Sequence, residues 1–201
     1  FAQARLCVAE GMNAIFQQRY GVWGDVLYPI GGEQARTAFS NIINKDKEAL
    51  TFGYFGSVSN GVKPLLYFAN CLKGTKNVLS ISSSVFPDYG GYVNHPNIVN
   101  GGFYTDRTVL MKFIHENIDV CVVAQSFEPE DKIFLETNFP SKLVDMSGMN
   151  LPLMIISPSY SSSGRIALNN PEAFIYIDTL DEKLIDEQLQ LLYNTEVRAA
   201  Y

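Results

Sequence analysis

The sequence predicts an α/β protein built on a doubly wound, Rossmann-like sheet of six mostly parallel strands, with helices on both faces. From residue 50 onwards, short apolar segments alternate with segments that carry apolar residues at helical spacing. This alternation is typical of parallel sheets, in which crossover helices cover the faces. With 201 residues, of which 47% are hydrophobic, the chain is long enough for one substantial core.

Six segments have the length and composition of buried strands. They are Leu50 to Phe55, Asn77 to Ser82, Asn97 to Asn100, Asp119 to Ala124, Leu153 to Ile156 and Ala173 to Ile177. Ligands of such sheets bind outside the carboxyl ends of the strands. The candidate site therefore lies in the loops at Gly56 to Lys63, Ser83 to Asn94, Gly101 to Asp106 and Gln125 to Pro140.

Three helices are predicted from apolar stripes. Their stripes are Leu65, Leu66, Ala69 and Leu72, then Val109, Leu110, Phe113 and Ile114, and finally Leu184, Ile185, Leu189 and Leu192. Thr179 and Glu182 have the spacing of a capping box, which predicts where the last of these helices begins. Near the other end of the chain, Val26 to Ile30, followed by Gly31 and Gly32, reads as a linker. The segment from Glu33 to Glu48 is predicted as a helix or a connection.

Composition excludes several classes of protein. The net charge is −6, with no basic stripe, so a nucleic-acid-binding surface is not expected. No apolar run is long enough to span a bilayer. Cys7, Cys71 and Cys121 are odd in number and widely spaced, which indicates reduced thiols and a cytoplasmic location. Because the chain begins at Phe1 rather than at methionine, we expect it to be part of a longer protein.

The loop after the first strand of the main sheet, GSVSNGVKP, is a candidate phosphate site. It is not a Walker A motif, because Val62 precedes Lys63 and Pro64 stands where Ser or Thr would hold magnesium. It also lacks the GxGxxG dinucleotide fingerprint. One interpretation is that Lys63, in the first turn of a helix, places its ammonium against a diphosphate. The other is a tight turn with a solvated lysine.

A second candidate anion site begins at Pro140. Proline suits the first position of a helix, where the amides of Ser141, Lys142 and Leu143 would then be free. These amides lie at the positive end of the helix dipole. Asp145 follows Lys142 at a spacing that predicts a shared helix face. The alternative is a helix start with a surface ion pair of little energetic weight.

The residue spacing supports neither a metal site nor a Ser-His-Asp catalytic triad. His95 and His115 are the only histidines, and neither has a histidine or cysteine three or four residues away. No Ser, His and Asp set can be assembled from motifs. We therefore predict no metal site.

Several strings together resemble a known family. They are GS…K after the first of the six strands, NIVNGGFYTDRTVL around the third, DVCVVAQS at the fourth and FPSKLVDMSGMNLPLMI before and within the fifth. In this order they resemble the carboxyl-terminal, donor-binding domain of GT-B glycosyltransferases, closest to the retaining GT4-like group. The resemblance covers roughly residues 50 to 195. It implies that residues 31–201 form the donor domain, and that residues 1–30 are the end of an amino-terminal domain and the interdomain linker.

The resemblance also implies roles for individual residues. Lys63, with Gly56 and Ser57 before it, would bind the diphosphate of a nucleotide sugar. The amides of Ser141, Lys142 and Leu143 would bind the same phosphates. Asp145 would bind the hydroxyls of the ribose. The base would lie beside Gly102, Phe103 and Tyr104.

Two features of the family are missing from this sequence. The first of its two glutamates falls at Thr137, one step from Glu136, so Glu136 is the substitute that we predict, with Glu128 as an alternative. The arginine that usually precedes the lysine is absent, and Ser57 and Val58 stand in that region. Donor binding is therefore better supported than turnover.

The implied reaction is transfer of a hexose-type sugar from a nucleotide sugar to a glycan or lipid-linked acceptor, as in polysaccharide biosynthesis. It would proceed with retention and without a metal or other cofactor. A domain outside this chain would bind the acceptor, so the isolated chain would be inactive. The full-length protein would then associate with the membrane periphery. The alternatives are a non-catalytic domain that binds a nucleotide or a protein, and a GT-B epimerase or phosphorylase.

Overall fold

The computed structural model describes residues 4–29, 47–59, 61–85 and 92–201. The predicted linker beyond Pro29 and most of the segment from Glu33 to Glu48 lie outside these ranges. The amino-terminal part contains strand β1 (Leu6–Cys7), helix α1 (Glu10–Tyr20) and strand β2 (Asp25–Val26). The two strands pair in parallel as a small separate sheet.

The main sheet contains six strands, all parallel to their neighbours. They are β3 (Thr51–Phe55), β4 (Val78–Ser82), β5 (Ile98–Gly102), β6 (Val120–Ala124), β7 (Leu153–Ile156) and β8 (Ile175–Ile177). All six predicted strands are confirmed, and each boundary lies within two residues of the predicted one. The central strands are recognisable because their side chains are buried on both faces, as in β6 and β7.

Seven further helices connect or follow these strands. They are α2 (Val62–Cys71), α3 (Arg107–Asn117), α4 (Lys132–Thr137), α5 (Ser141–Ser147), α6 (Ser162–Asn169), α7 (Glu182–Leu192) and α8 (Thr195–Ala200), with a 3₁₀ turn at Pro129–Asp131. The predicted capping box was wrong. Asp181, not Thr179, caps α7, and its carboxylate accepts a hydrogen bond of 2.9 Å from the amide of Leu184.

Two hydrophobic cores lie on opposite faces of the sheet. One contains Phe68 of α2 and Ile185 of α7, and the other contains Ile114 of α3, Leu143 of α5 and Ala167 of α6. Helices therefore cover both faces, which confirms the predicted doubly wound, Rossmann-like fold. Each of the five residues named here is at most 4% exposed, so their burial contributes hydrophobic stabilisation on both faces.

The strand order is β5-β4-β3-β6-β7-β8. From β3 the chain moves outward to β4 and β5, and α3 then returns it to β6 on the other side of β3. The direction of winding therefore reverses between β3 and β6. In sheets of this kind, a crevice opens at such a switch point outside the carboxyl ends of the strands.

Helix α1 packs closely against α4. A β-carbon built on Gly11 would lie only 2.0 Å from the carbonyl oxygen of Glu136, so the two backbones approach more closely than any larger residue allows. Beyond the helix, the ring of Tyr28 packs on the ring of Phe139 with centroids 5.4 Å apart. The amino-terminal segment thus contacts α4 and the loop after it.

Candidate functional site

A cavity of about 250 Å³ opens at the switch point between β3 and β6. Four segments line it: the end of β3 with the following turn, the end of β6, α4 with the loop after it, and the start of α5. Ser57 and Gly61 contribute from the first of the two candidate anion loops, and Ser141 and Lys142 from the second. The two loops that the sequence singled out therefore share one cavity.

Lys142 forms one wall of this cavity. Its side chain extends from the first turn of α5 to the turn after β3, where Nζ donates a 2.8 Å hydrogen bond to the carbonyl of Ser57. Nζ also bonds to the hydroxyl of Tyr54 and lies 4.0 Å from the centre of that ring. The tyrosine hydroxyl donates in turn to the same Ser57 carbonyl at 2.6 Å. A cation over an aromatic face gains electrostatic stabilisation when it is partly desolvated.

The electrostatic state of Lys142 follows from its burial. No carboxylate contacts its ammonium within the described residues, and desolvation lowers its pKa to about 8. Burial also raises the pKa of Tyr54, which stays a neutral phenol. Near neutral pH, Lys142 is therefore a cation with only neutral partners, and an anion in the cavity would be its first charged one.

The turn after β3 brings the backbone close to Lys142. Gly56 has a φ of +96°, a conformation that residues with a β-carbon rarely adopt. A β-carbon at this position would lie 3.1 Å from Cε of Lys142. The amide of Gly56 donates to the carbonyl of Ser82 at 2.8 Å, which holds the turn against the end of β4. Glycine is thus required here both by the backbone and by the lysine beside it.

Gln125 lies on the cavity wall directly after β6 and is only 6% exposed. Its Oε1 accepts a short hydrogen bond from the hydroxyl of Ser163. The Ser163 oxygen lies 3.1 Å from that of Ser157 and 3.2 Å from that of Ser161. This buried serine cluster, Ser157, Ser161 and Ser163, fixes the orientation of the Gln125 amide.

The wall provided by α4 and its following loop is largely apolar. Phe134, Phe139 and Pro140 contribute to it, and Asn138 adds a side-chain amide. Phe134 is 46% exposed, so its ring is open to the cavity and the solvent at its mouth. The cavity therefore combines a cation, amides and aromatic surface.

Lys63 does not line the cavity, although Gly61 two residues earlier does. Its ammonium pairs with Glu128 at 2.7 Å, and its side chain is 73% exposed. The hydrogen bond and the charge of Glu128 raise the pKa of Lys63. The predicted diphosphate lysine thus pairs with a carboxylate in the described structure.

Glu136, the predicted substitute for the family glutamate, also lies away from the cavity lining. Its carbonyl accepts a 2.9 Å hydrogen bond from Arg165, and its carboxylate is 4.0 Å from Lys132. The hydroxyl of Thr137, the position given by the family spacing, donates 2.8 Å back to the carbonyl of Ile133. In this arrangement, neither Glu136 nor Thr137 lines the cavity.

Asp145 and Lys142, three residues apart in α5, contact different partners. Asp145 pairs with Arg107 at the start of α3, at 2.8 Å, and both side chains are about half exposed. The pair connects α5 to the loop after β5. Asp145 therefore lies towards the side of the sheet where the base-binding loop was predicted.

The predicted base-binding residues follow the edge strand β5. Gly102 has a φ of +83°, Phe103 is 61% exposed, and Tyr104 packs on Phe113 with centroids 5.0 Å apart. They lie outside the cavity lining, on the far side of β4 from β3. An exposed aromatic side chain at this edge is available to stack on a planar ligand.

The start of α5 differs from the prediction in one respect. Pro140 is the residue before the helix, with an extended ψ of 107°, and not its first helical residue. Its carbonyl accepts the amide of Leu143 at 3.0 Å. Leu143 therefore has no free amide, and it is buried in the core. The phosphate contact of Leu143 stays a prediction, and it would require this amide to leave the carbonyl of Pro140.

The described residues offer neither a metal site nor a membrane-spanning helix. No group of three or more His, Cys, Asp or Glu side chains converges there in a way that could hold a metal ion. None of the helices in the described ranges has the length and apolar character needed to cross a membrane. Cys7, Cys71 and Cys121 are free thiols, as predicted.

Comparison with known proteins gives a fold but no family assignment from sequence. No family model and no curated protein matches the chain. Solved structures do. Anabaena Alr3699/HepE in complex with UDP and glucose matches with a TM-score of 0.67 at 13% identity, over all of this chain and 56% of that one. The same protein in complex with UDP-glucose matches with a TM-score of 0.68 at 14% identity, over 100% and 57%.

The third structure is the apo form of WaaB, a lipopolysaccharide outer core galactosyltransferase. It has a TM-score of 0.52 at 13% identity, over 99% of this chain and 60% of that one. The chain has the fold of one half of a GT-B glycosyltransferase. It spans less than two thirds of the length of each of these proteins. The fold expected from the resemblance is thereby confirmed.

Part of the cavity lining was not predicted from the sequence. Tyr54, Gln125, Phe134 and Asn138 line the cavity but were not singled out. Tyr54 looks like an ordinary core residue in an apolar strand. Gln125 gave one signal, because it is a polar residue placed directly after a buried strand at its carboxyl end, where ligands bind.

Proposed function

We propose that this chain is the donor domain of a glycosyltransferase and binds a nucleotide-diphosphate sugar at the carboxyl edge of its sheet. The observation that carries the proposal is that Lys142 and the turn around Ser57 meet in one cavity at the switch point. The fold similarity to HepE, a protein crystallised with UDP-glucose, supports the same class of ligand.

Charge explains how such a cavity would promote transfer. As the glycosidic bond breaks, negative charge accumulates on the leaving diphosphate. The partly buried ammonium of Lys142 would stabilise that charge more strongly than a solvated cation can. Its present partners are a phenol and a carbonyl, both neutral, so no ion pair must break before the phosphate binds. Lys63 would add a second cation from the first turn of α2 once it leaves Glu128.

The rest of the proposal concerns the whole protein. The transferred group would be a hexose-type sugar, and a second domain would supply a glycan or lipid-linked acceptor. Retention, metal independence, cytoplasmic location and a peripheral contact with membranes belong to the proposal through the family resemblance. Asp145 remains the candidate for the ribose, beside Arg107, and Phe103 with Tyr104 for the base.

Binding of UDP-glucose and UDP, measured by isothermal titration calorimetry, tests this function. We expect the wild-type chain to bind both. Lys142→Met should weaken binding by about ten- to a hundredfold, as expected for the loss of a charge-assisted hydrogen bond. Lys76→Met is the matched control, because Lys76 precedes β4 at the amino end of the strands and, among the described residues, pairs only with exposed Glu48. Unchanged affinity in Lys142→Met, or no binding by the wild type, would contradict the proposal.

A further inference from the structure

The side-chain amide of Gln125 has a donor group that the protein itself does not use. Gln125 is 94% buried, yet within the described residues the only hydrogen bond of its side-chain amide is the one that Oε1 accepts from Ser163. The Nε2 group makes no hydrogen bond to any described residue, and it keeps access to solvent. Gln125 lines the cavity, so we assign the solvent access of this donor to the cavity.

The orientation of the amide is fixed from behind. Ser163 is fully buried at the start of α6, and Ser157 and Ser161 surround its hydroxyl. The amide of Gly164 donates to Ser161 at 2.9 Å, which ties the serine cluster to the backbone of α6. With Oε1 held by Ser163, the two N–H groups of Nε2 point the other way. Because Nε2 keeps access to solvent, water satisfies it in the free protein, and a ligand acceptor can replace that water.

The surroundings identify the type of acceptor. Lys142 already provides a cation at one wall, whereas Gln125 and Asn138 are neutral and lie with the exposed ring of Phe134 around the same cavity. A sugar ring presents hydroxyls at its edge and C–H groups on its faces, which match amides and aromatic surface respectively. The volume of about 250 Å³ is below the usual range for pockets that enclose a whole drug-sized ligand, so it would enclose only part of a nucleotide sugar.

We propose that Gln125 is a specificity residue whose Nε2 donates a hydrogen bond to a hydroxyl of the transferred sugar, with Ser163 as the residue that positions it. This inference rests on the proposed function, because it assumes that the cavity binds a nucleotide sugar. It assigns the sugar to the end of β6 and leaves the diphosphate to Lys142. Substitution of Gln125 should therefore affect the sugar and not the nucleotide.

The test compares UDP with UDP-glucose on the same variants by calorimetry. Gln125→Met keeps the length of the side chain but cannot donate. We expect it to bind UDP as the wild type does and UDP-glucose about three- to tenfold more weakly, the effect of one neutral hydrogen bond. Gln190→Met is the control, because Gln190 is exposed on α7 and its side-chain amide, among the described residues, bonds only to Asp186, at 3.4 Å.

A second variant guards against a folding defect at Gln125. Ser163→Ala leaves the amide in place but removes the group that orients it, so we expect a smaller loss for UDP-glucose and none for UDP. An equal loss for UDP and UDP-glucose in Gln125→Met would place the contact on the diphosphate and overturn the inference. Unchanged affinity for both ligands would overturn it too. If the wild type bound neither ligand, the proposed function would fail and the inference with it.

Discussion

The Nζ atom of Lys142 lies 4.0 Å from the centre of the Tyr54 ring, although the two residues are 88 positions apart in the chain. Tyr54 stands near the end of β3, and Lys142 stands in the first turn of α5. Their contact connects the two loops that flank the cavity. It also places a lysine of lowered pKa where a ligand phosphate would contact it.

The affinity for UDP should depend on pH through Lys142. Its pKa of about 8 means that the free protein loses this charge between pH 7 and pH 9. If binding needs the ammonium, affinity should fall about tenfold over that interval, with uptake of a proton on binding above pH 8. Calorimetry in buffers of different ionisation enthalpy measures both quantities.

Lys142→Arg is the control for this dependence, because a guanidinium stays protonated throughout the interval. Titration of the uracil ring affects both proteins equally. We expect a flatter profile in the arginine variant. A wild-type affinity that stays constant, without proton uptake, would exclude Lys142 as the phosphate partner.

The stability of the ligand-free protein should respond to pH in the opposite direction. Burial lowers the pKa of Lys142 from 10.5 to about 8, so between these values the unfolded chain binds more protons than the folded one. Stability contributed by this group therefore rises with pH across that window. Burial also raises the pKa of Tyr54, and this favours unfolding only above pH 10, where the unfolded phenol ionises. The useful range is therefore pH 7.5 to about 9.5.

Thermal denaturation of the wild type and Lys142→Met over this range measures the effect. The difference in Tm between them should shift by a few degrees in favour of the wild type as pH rises. Parallel curves for the two proteins would show that Lys142 is not desolvated in solution.

The fold was largely predictable because its strands are encoded locally. Leu153 to Ile156 is wholly apolar and fully buried, and the predicted limits match the observed ones. Details at helix starts were less accessible. Pro140 has a φ of −71°, which suits either the first helical position or the residue before it, and only the extended ψ separates the two. Thr179 and Asp181 are both residues that cap helices, so spacing alone could not choose between them.

The site was predicted at the level of loops and not of side chains. A parallel sheet brings the carboxyl ends of its strands together, so the loops at Gly56 and Ser141 were expected to be neighbours. Which side chain meets which depends on packing between distant segments. Lys63 pairs with Glu128, 65 residues away, and Lys142 bonds to the Ser57 carbonyl, 85 residues away. No local pattern in the sequence carries that information.

Gly56→Ala should reduce both stability and ligand binding, whereas Gly74→Ala should reduce only stability. Both glycines have a left-handed φ, +96° and +79°, at which a β-carbon costs roughly 1–2 kcal/mol. They differ in surroundings, because a β-carbon at Gly56 would lie 3.1 Å from Lys142 and one at Gly74 would touch nothing within 4 Å. Denaturant unfolding should give similar losses for the two variants. Calorimetry with UDP should show weaker binding for Gly56→Ala but not for Gly74→Ala. If the two variants bound UDP with equal affinity, Lys142 would need no support from the turn.

Glu128 should compete with the ligand for the exposed ammonium of Lys63. Lys63→Ala is expected to weaken UDP binding by about two- to fivefold at low salt, the weight of an exposed ion pair, and to lose most of this effect at high salt. Glu128→Gln should strengthen binding by a similar factor, because it releases Lys63. Lys76→Ala is a matched control, since Lys76 is 75% exposed, against 73% for Lys63, and pairs with one glutamate at 2.8 Å.

A double-mutant cycle read by calorimetry separates release of Lys63 from other effects of Glu128. Glu128→Gln should have no effect when Lys63 is already alanine, because the carboxylate then has no lysine to withhold. If the gain persisted in that background, Glu128 would act on the ligand by direct repulsion. If Lys63→Ala bound UDP as tightly as the wild type at low salt, Lys63 would be a solvated lysine beside a tight turn, and Lys142 alone would supply the cation.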